Sequence, residues 1–326
     1  MVGRDQGGRI VNRAIPIFAG LLAIALPLSL LAGRVWLDPA TTPNAAVILA
    51  ELRLPRALLG ALVGAGLGAS GAAMQGYLRN PLADPGLFGI APAAALGAVL
   101  SLRLGLTDIW TLPLFALAGA SGAMALLALI AGRSAGIALF TLAGMMIASL
   151  AGALTSLAIS LAPNAFAMSV IVTWLMGALT DRSWTDVLVA APLTLAGLGV
   201  LFAAGRGLDA MTLGETAARS LGTQTGRLRW LLIAGVGLTV GGGVAVAGII
   251  GFVGLMVPHL VRPLTDRRPS SLIVPSALAG AVLVVFADAI CRTLPLVTEL
   301  RLGIALSLIG APFFLWLLLR MRRGSL

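Results

Sequence analysis

Nine stretches of 18 residues or more carry no charged side chain: residues 14–33, 57–78, 85–102, 109–132, 134–180, 187–205, 230–261, 269–287 and 302–319. The hydrocarbon core of a bilayer is about 30 Å thick and takes about 20 apolar residues to cross as a helix. A chain punctuated in this way folds as a bundle of membrane-spanning helices rather than as a soluble domain. Composition bears this out, with 59% hydrophobic and 10% charged residues against about 25% charged in ordinary soluble domains. The expected fold class is all-α: a polytopic membrane protein forming one transmembrane domain over 1–326, with a short cytoplasmic segment at 1–13. The 20 residues of 14–33 exceed the 7–15 of a cleaved signal's apolar core, so this run is expected to persist as a helix.

Two runs are too long for one crossing, and arginine placement decides between them. If 230–261 crosses twice, breaking among Gly241, Gly242, Gly243, Gly248 and Gly251, while 134–180 crosses once, there are about ten helices with both termini cytoplasmic. Fifteen arginines then fall inside (Arg4, Arg9, Arg13, Arg79, Arg133, Arg206, Arg219, Arg227, Arg229, Arg262, Arg267, Arg268, Arg320, Arg322, Arg323) and seven outside (Arg34, Arg53, Arg56, Arg103, Arg182, Arg292, Arg301). The opposite choice gives twelve and ten, a weaker bias than the positive-inside rule expects. As one helix, 230–261 would measure about 48 Å, too long for one span and short for two, so one of its two helices must be short. The surplus at 163–180, with Trp174, is predicted to be a short helix at the outer interface.

Several chemistries find no residues. All 22 basic residues are arginine, so the sequence cannot supply the lysine of a phosphate-binding loop, and ATP hydrolysis, if it drives this protein, belongs to another chain. One histidine, His259, and one cysteine, Cys291, cannot build a Cys/His metal cage, and no HExxH or GxSxG pattern occurs. The GxGxxG match at Gly66, Gly68 and Gly71 sits inside an apolar helix, without the strand that a dinucleotide site requires. It belongs with Gly60 and Gly64 to a small-residue face along which helices pack closely in lipid. The intramembrane acid Asp288 is a candidate for ion coupling, but Arg292 stands at i+4, the spacing of a helix-end ion pair.

Three segments together carry a specific pattern: Leu52-Arg53-Leu54-Pro55-Arg56 with Arg79-Asn80-Pro81-Leu82-Ala83-Asp84-Pro85-Gly86; Leu213-Gly214-Glu215 through Gly222; and Gly251-Phe252-Val253-Gly254-Leu255-Met256-Val257-Pro258-His259 with Arg262. Over about residues 45–320 the chain resembles the FecCD-type permease subunits of type II ATP-binding-cassette importers, which take up iron-siderophores, haem or vitamin B12. The resemblance implies a homodimer of this chain in the bacterial inner membrane, two ATPase subunits beneath it, a periplasmic substrate-binding protein above it, and alternating access between them. It also implies that the chain has no ATPase site of its own and binds no cofactor, ATP and magnesium residing on the partner. An ion-coupled secondary transporter is the competing reading.

The same resemblance assigns residues. Arg53, Arg56 and Arg292 match outer positions that dock the binding protein, a role suited to guanidinium groups on rigid helix ends meeting carboxylates. Gly214, Glu215, Ala217, Ala218, Arg219, Leu221 and Gly222 match the coupling helix that seats in the ATPase. Asn80, Pro81 and Leu82, with Gly136, Ile137, Ala138 and Thr141, match the constriction at the inner end of the pathway. Arg301 departs from the proline that several relatives carry there. The expected pathway lining is apolar, so it names no ligand; haem and siderophores lead as a class, with cobalamin next.

Overall fold

A computed structural model describes residues 4–106, 108, 110–131 and 136–323; for 4–12, Leu87, Ala131 and 321–323 it describes the backbone alone. Arg133 lies outside the described residues. Twelve helices follow one another among them: α1 (Arg4–Leu31), α2 (Ala45–Leu78), α3 (Ile90–Arg103), α4 (Thr111–Ala131), α5 (Ile137–Ser160), α6 (Ala165–Leu175), α7 (Trp184–Met211), α8 (Glu215–Ser220), α9 (Thr225–Ala247), α10 (Val253–Leu264), α11 (Pro269–Thr293) and α12 (Leu302–Arg323). Eight are long and apolar enough to cross a membrane; α3, α6 and α10 are shorter apolar helices. The eight long helices together with α3 and α10 make up the expected ten, and α6 is the surplus helix after Pro163, capped by the Asn164 carboxamide accepting from Ala167 N at 2.8 Å. The segment 1–13, expected as a tail, is continuous with α1 from Arg4.

The bundle is organised on α2, whose central face is buried from Gly60 to Tyr77. Its small-residue stripe lies antiparallel against α11. A Cβ at Gly64 would run into the Gly280 carbonyl, and one at Gly68 into that of Ser276. Only glycine permits this approach, which replaces the missing hydrophobic drive between helices in lipid with close van der Waals packing. Ahead of Pro55, α2 widens into a π turn at Ile48–Arg53, because proline has no N–H to donate and its ring crowds the carbonyl four residues back.

The long run 230–261 divides into two helices within its glycine-rich middle, as expected. The chain is helical already from Thr225, which takes Arg227 and Arg229 out of the predicted loop. It passes through Gly237–Gly241 as a π turn and breaks only at Gly248, whose φ of 70° favours glycine. Phe252, at φ 65°, opens the short helix α10. Irregular backbone at membrane depth is tolerable only when buried in protein. Here Ala178 N donates to Ala247 O at 2.8 Å and Gly303 N to Gly177 O at 3.1 Å, tying the break to the chain before α7 and to α12.

Candidate functional site

Each end of the bundle gathers arginines around buried contacts. At the outer end, Pro55 pre-sets the first turn of the regular part of α2 and holds Arg56 towards α11. Its Nε lies 3.1 and 3.0 Å from the two oxygens of Asp288, and its Nη2 lies 2.8 Å both from Asp288 Oδ1 and from Glu299 Oε2. Thr180 Oγ1 donates to that same Glu299 oxygen at 3.3 Å. Arg292 donates through Nη2 to Ser29 O and Oγ at 3.0 and 2.6 Å, bringing in α1. Its Nε lies 3.2 Å from Asp288 Oδ2, an ion pair by distance without the alignment of a hydrogen bond. Arg53 donates to Leu30 O at 2.8 Å and remains half-buried.

These contacts engage all three arginines within the chain itself. The Arg56 side chain is 11% exposed and that of Arg292 6%, and both are engaged by Asp288. Buried charges persist when paired and hydrogen-bonded, and here four segments supply the partners: α1, α2, α11 and the chain around Glu299. Asp288 was expected to pair with Arg292; the contact to Arg56, 232 residues away, is one that sequence spacing could not reveal. Asp288 is thus held between two guanidiniums. Burial pushes the Glu299 carboxyl up, but the hydrogen bond and charge of Arg56, helped by Thr180 and Arg292, outweigh it and hold the group below its usual value.

At the inner end, the loop Leu213–Gly222 contains the predicted short helix. Gly214 at φ 100° and Gly222 at φ 83° bracket α8 (Glu215–Ser220), both in conformations that favour glycine. The face α8 turns outward carries Thr216, Arg219 and Ser220, flanked by the exposed Leu213 and Leu221. Ala218 is 0% exposed and packs against the bundle; Ala217 is half-buried. Arg219 Nη2 donates to Glu215 Oε1 at 2.7 Å and Arg219 Nε to Thr225 Oγ1 at 3.2 Å.

The two segments expected to form the constriction converge here. Asn80 Oδ1 accepts from Leu82 N at 3.0 Å, closing the Asn80-Pro81-Leu82 turn on itself, and Asp84 caps the turn Pro85–Phe88 through Gly86 N. Gly136 caps α5, Ile137 is half-buried and Ala138 exposed at its start, and Thr141 Oγ1 donates back to Ile137 O at 2.9 Å. Between the segments, Phe140 packs edge-on against Tyr77, with centroids 5.4 Å apart, and against Phe88 at 4.9 Å. Close by, buried Gln75 donates to Gly254 O and Leu255 O, both at 3.3 Å, and accepts from Arg262 Nη2 at 2.8 Å, joining α2 to α10.

Sequence reasoning missed Arg229. It counted as a loop arginine, yet it is 1% exposed and is the largest fully buried side chain among the described residues. Its Nε donates to the Tyr77 hydroxyl at 3.1 Å, its guanidinium lies 6.0 Å from the centroid of the Phe140 ring, and its Nη2 lies 3.9 Å from Glu215 Oε1. The one available signal was its place directly ahead of the run 230–261. Among the described residues no group of three or more His, Cys, Asp or Glu is arranged to hold a metal. His259 has its Nδ1 buried without a hydrogen-bond partner and meets Phe313 edge-on.

Residues 21–320 match the FecCD transport family. The vitamin B12 import system permease protein BtuC of Escherichia coli O9:H4 is 38% identical over 312 residues, covering 93% of this chain and 94% of that one. The cobalamin import system permease protein BtuC of Halobacterium salinarum is 37% identical, covering 94% and 82%. The uncharacterized ABC transporter permease protein YvrB of Bacillus subtilis is 40% identical over 285 residues, covering 85% and 80%. A solved metal-chelate type ABC transporter in an inward-facing conformation superposes with a TM-score of 0.88 at 32% identity, covering 95% of this chain and 99% of that one.

Proposed function

From the premise that the chain belongs to the FecCD transport family and is a multi-pass ABC-importer permease, we propose that it moves a corrinoid or metal chelate through the cytoplasmic membrane into the cell. Cobalamin comes first among the substrates, because relatives that cover more than nine-tenths of this chain are named vitamin B12 permeases; haem and ferric siderophores follow. The observation that carries the reading is the match along residues 21–320 to a family of permeases, together with an exposed short helix, α8, at the end of the bundle opposite the Arg56 cluster.

In this reading two copies of the chain form one pathway, a separate ATPase subunit hydrolyses ATP, and a substrate-binding protein delivers the ligand. The coupling surface is the outward face of α8, with Leu213, Arg219 and Leu221, bracketed by Gly214 and Gly222. Glu215 lies behind that face, Ala217 at its edge and Ala218 beneath it. The constriction is formed by Asn80-Pro81-Leu82 and by the start of α5, including Gly136, Ile137, Ala138 and Thr141. At the outer end Arg53 is the docking contact. Arg56 and Arg292 act there indirectly, by holding the ends of α2 and α11 in the shape that a binding protein would meet.

The test is uptake into proteoliposomes carrying this chain with its ATPase and binding-protein partners. Labelled cyanocobalamin, haem and ferrichrome serve as alternative probes, with and without ATP. ATP-dependent accumulation of one of them is expected, and Arg53→Glu should slow binding-protein association most at low salt, as rim charges do. Accumulation of a probe by the chain alone under an ion gradient would overturn the reading in favour of a secondary transporter.

A further inference from the structure

The buried guanidinium of Arg229 touches three things that the proposed mechanism must connect: the coupling helix through Glu215, the end of α2 just ahead of Asn80-Pro81-Leu82 through Tyr77, and the first turn of α5 through Phe140. A long cationic side chain is costly to bury, and in a core that needed only volume an apolar one would serve at least as well. Arginine is also distinguished by what it can hold, since its planar fork binds several partners in fixed relative directions. Each partner of Arg229 named here lies on a different segment.

Glu215 is shared. Its Oε1 accepts from Arg219 at 2.7 Å and stands 3.9 Å from Arg229. The two guanidiniums differ in surroundings, since the Arg219 side chain is 53% exposed and that of Arg229 2%. Arg219 is therefore open to competition from a docking partner and to screening by salt, while the attraction of Arg229 is little screened and rises as the distance closes. Coupling between two sites requires an element whose contacts differ between two states. A carboxylate shared between an exposed and a buried cation is such an element.

We propose that Arg229 is the positioning residue that carries movement of α8 to the inner constriction, with Glu215 as the movable contact. When a partner engages Arg219, the Glu215 carboxylate passes towards Arg229. Arg229 then shifts against Tyr77 and Phe140, and with them the 80–82 turn and the start of α5. This inference rests on α8 being the ATPase-coupling surface, and the test separates the two.

The experiment uses the full complex of permease, ATPase and binding protein in lipid nanodiscs. The background is Cys291→Ser with Ala138→Cys as a reporter at the exposed start of α5, and the readout is the change in maleimide labelling rate on adding ATP. Leu221→Asp, at the exposed edge of α8, should lose the ATPase on purification; if the ATPase stays bound, the coupling-surface reading fails and this proposal with it. Arg229→Gln should keep the ATPase bound, yet the ATP-dependent change in labelling should fall at least about fivefold, the lower end of typical coupling factors. Arg229→Lys should restore part of it, because a cation remains for Glu215 while the fork to Tyr77 is lost, and Tyr77→Phe should fall between. If Arg229→Gln does not fold, Glu215→Gln carries the test with the same expected loss. An ATP response equal to the parent's in the assembled Arg229→Gln complex, or in Glu215→Gln where that variant stands in, overturns the proposal.

Discussion

The outer and inner ends of the bundle both bury arginine, but they tie it down differently. Outside, Arg56 grips Asp288 through three contacts of 2.8–3.1 Å and Glu299 through one more, and Arg292 closes on the same aspartate while bonding α1. Inside, Arg229 stands 3.9 Å from a glutamate that is bonded more closely to another arginine. A cluster of mutually paired, mostly buried charges resists rearrangement, because movement leaves a buried charge unpaired. A shared carboxylate can change partners at little cost. The outer cluster is accordingly a brace, and at the inner end the movable contact is Glu215.

The largest effect should come from breaking the brace. Asp288→Ala leaves Arg56 and Arg292 without their common carboxylate, and removing one partner of a buried pair typically costs about 3–5 kcal/mol. Thermal unfolding in detergent should show a marked drop in midpoint, whereas Glu215→Gln inside should shift stability by no more than about 1 kcal/mol, as for other partly exposed pairs. Equal losses from the two substitutions would erase the contrast.

Overfilling comes next. Ala218 is fully buried beneath α8, so Ala218→Trp should cost about 1–3 kcal/mol by overpacking and disturb the permease itself. Ala217→Trp, at the edge of the exposed face, should leave unfolding nearly unchanged and lower recovery of the ATPase. Reversal of that order would place the docking face on the other side of α8.

Acid should weaken the outer end more gently. The Glu299 carboxyl is held below its unfolded value of 4.5, so its stabilising contribution is present above that value and is lost as the pH falls through the lower folded one. The unfolding midpoint should decline in that acidic window, and Glu299→Gln should flatten the decline. A pH profile identical in parent and variant would show that Arg56 does not depend on Glu299.

The sequence disclosed more of the scaffold than of its contacts. The stripe Gly60, Gly64 and Gly68 predicted close helix packing, and two of these glycines meet the backbone of α11. Gly214 and Gly222 framed a short helix that spans Glu215–Ser220. The break after α9 was expected among five glycines and falls at one of them, Gly248, because a π turn absorbs Gly237–Gly241 without ending the helix. At the site itself, Asp288 and Arg292 were paired by spacing alone, whereas the grip of Arg56 and the burial of Arg229 were hidden.

What the sequence by itself determined is the number and rough limits of the helices, their orientation and the family, since these follow from charge-free runs, arginine counts and local motifs that lie within a few tens of residues. What only the tertiary structure decided is which arginines are spent and which are free. That depends on partners 232 residues away for Arg56 and 152 for Arg229, brought together by packing of α2 against α11 and α9. In lipid an arginine near a helix end reads the same whether it snorkels to the surface or turns inward; the difference lies in whether the fold places a carboxylate or a hydroxyl within reach.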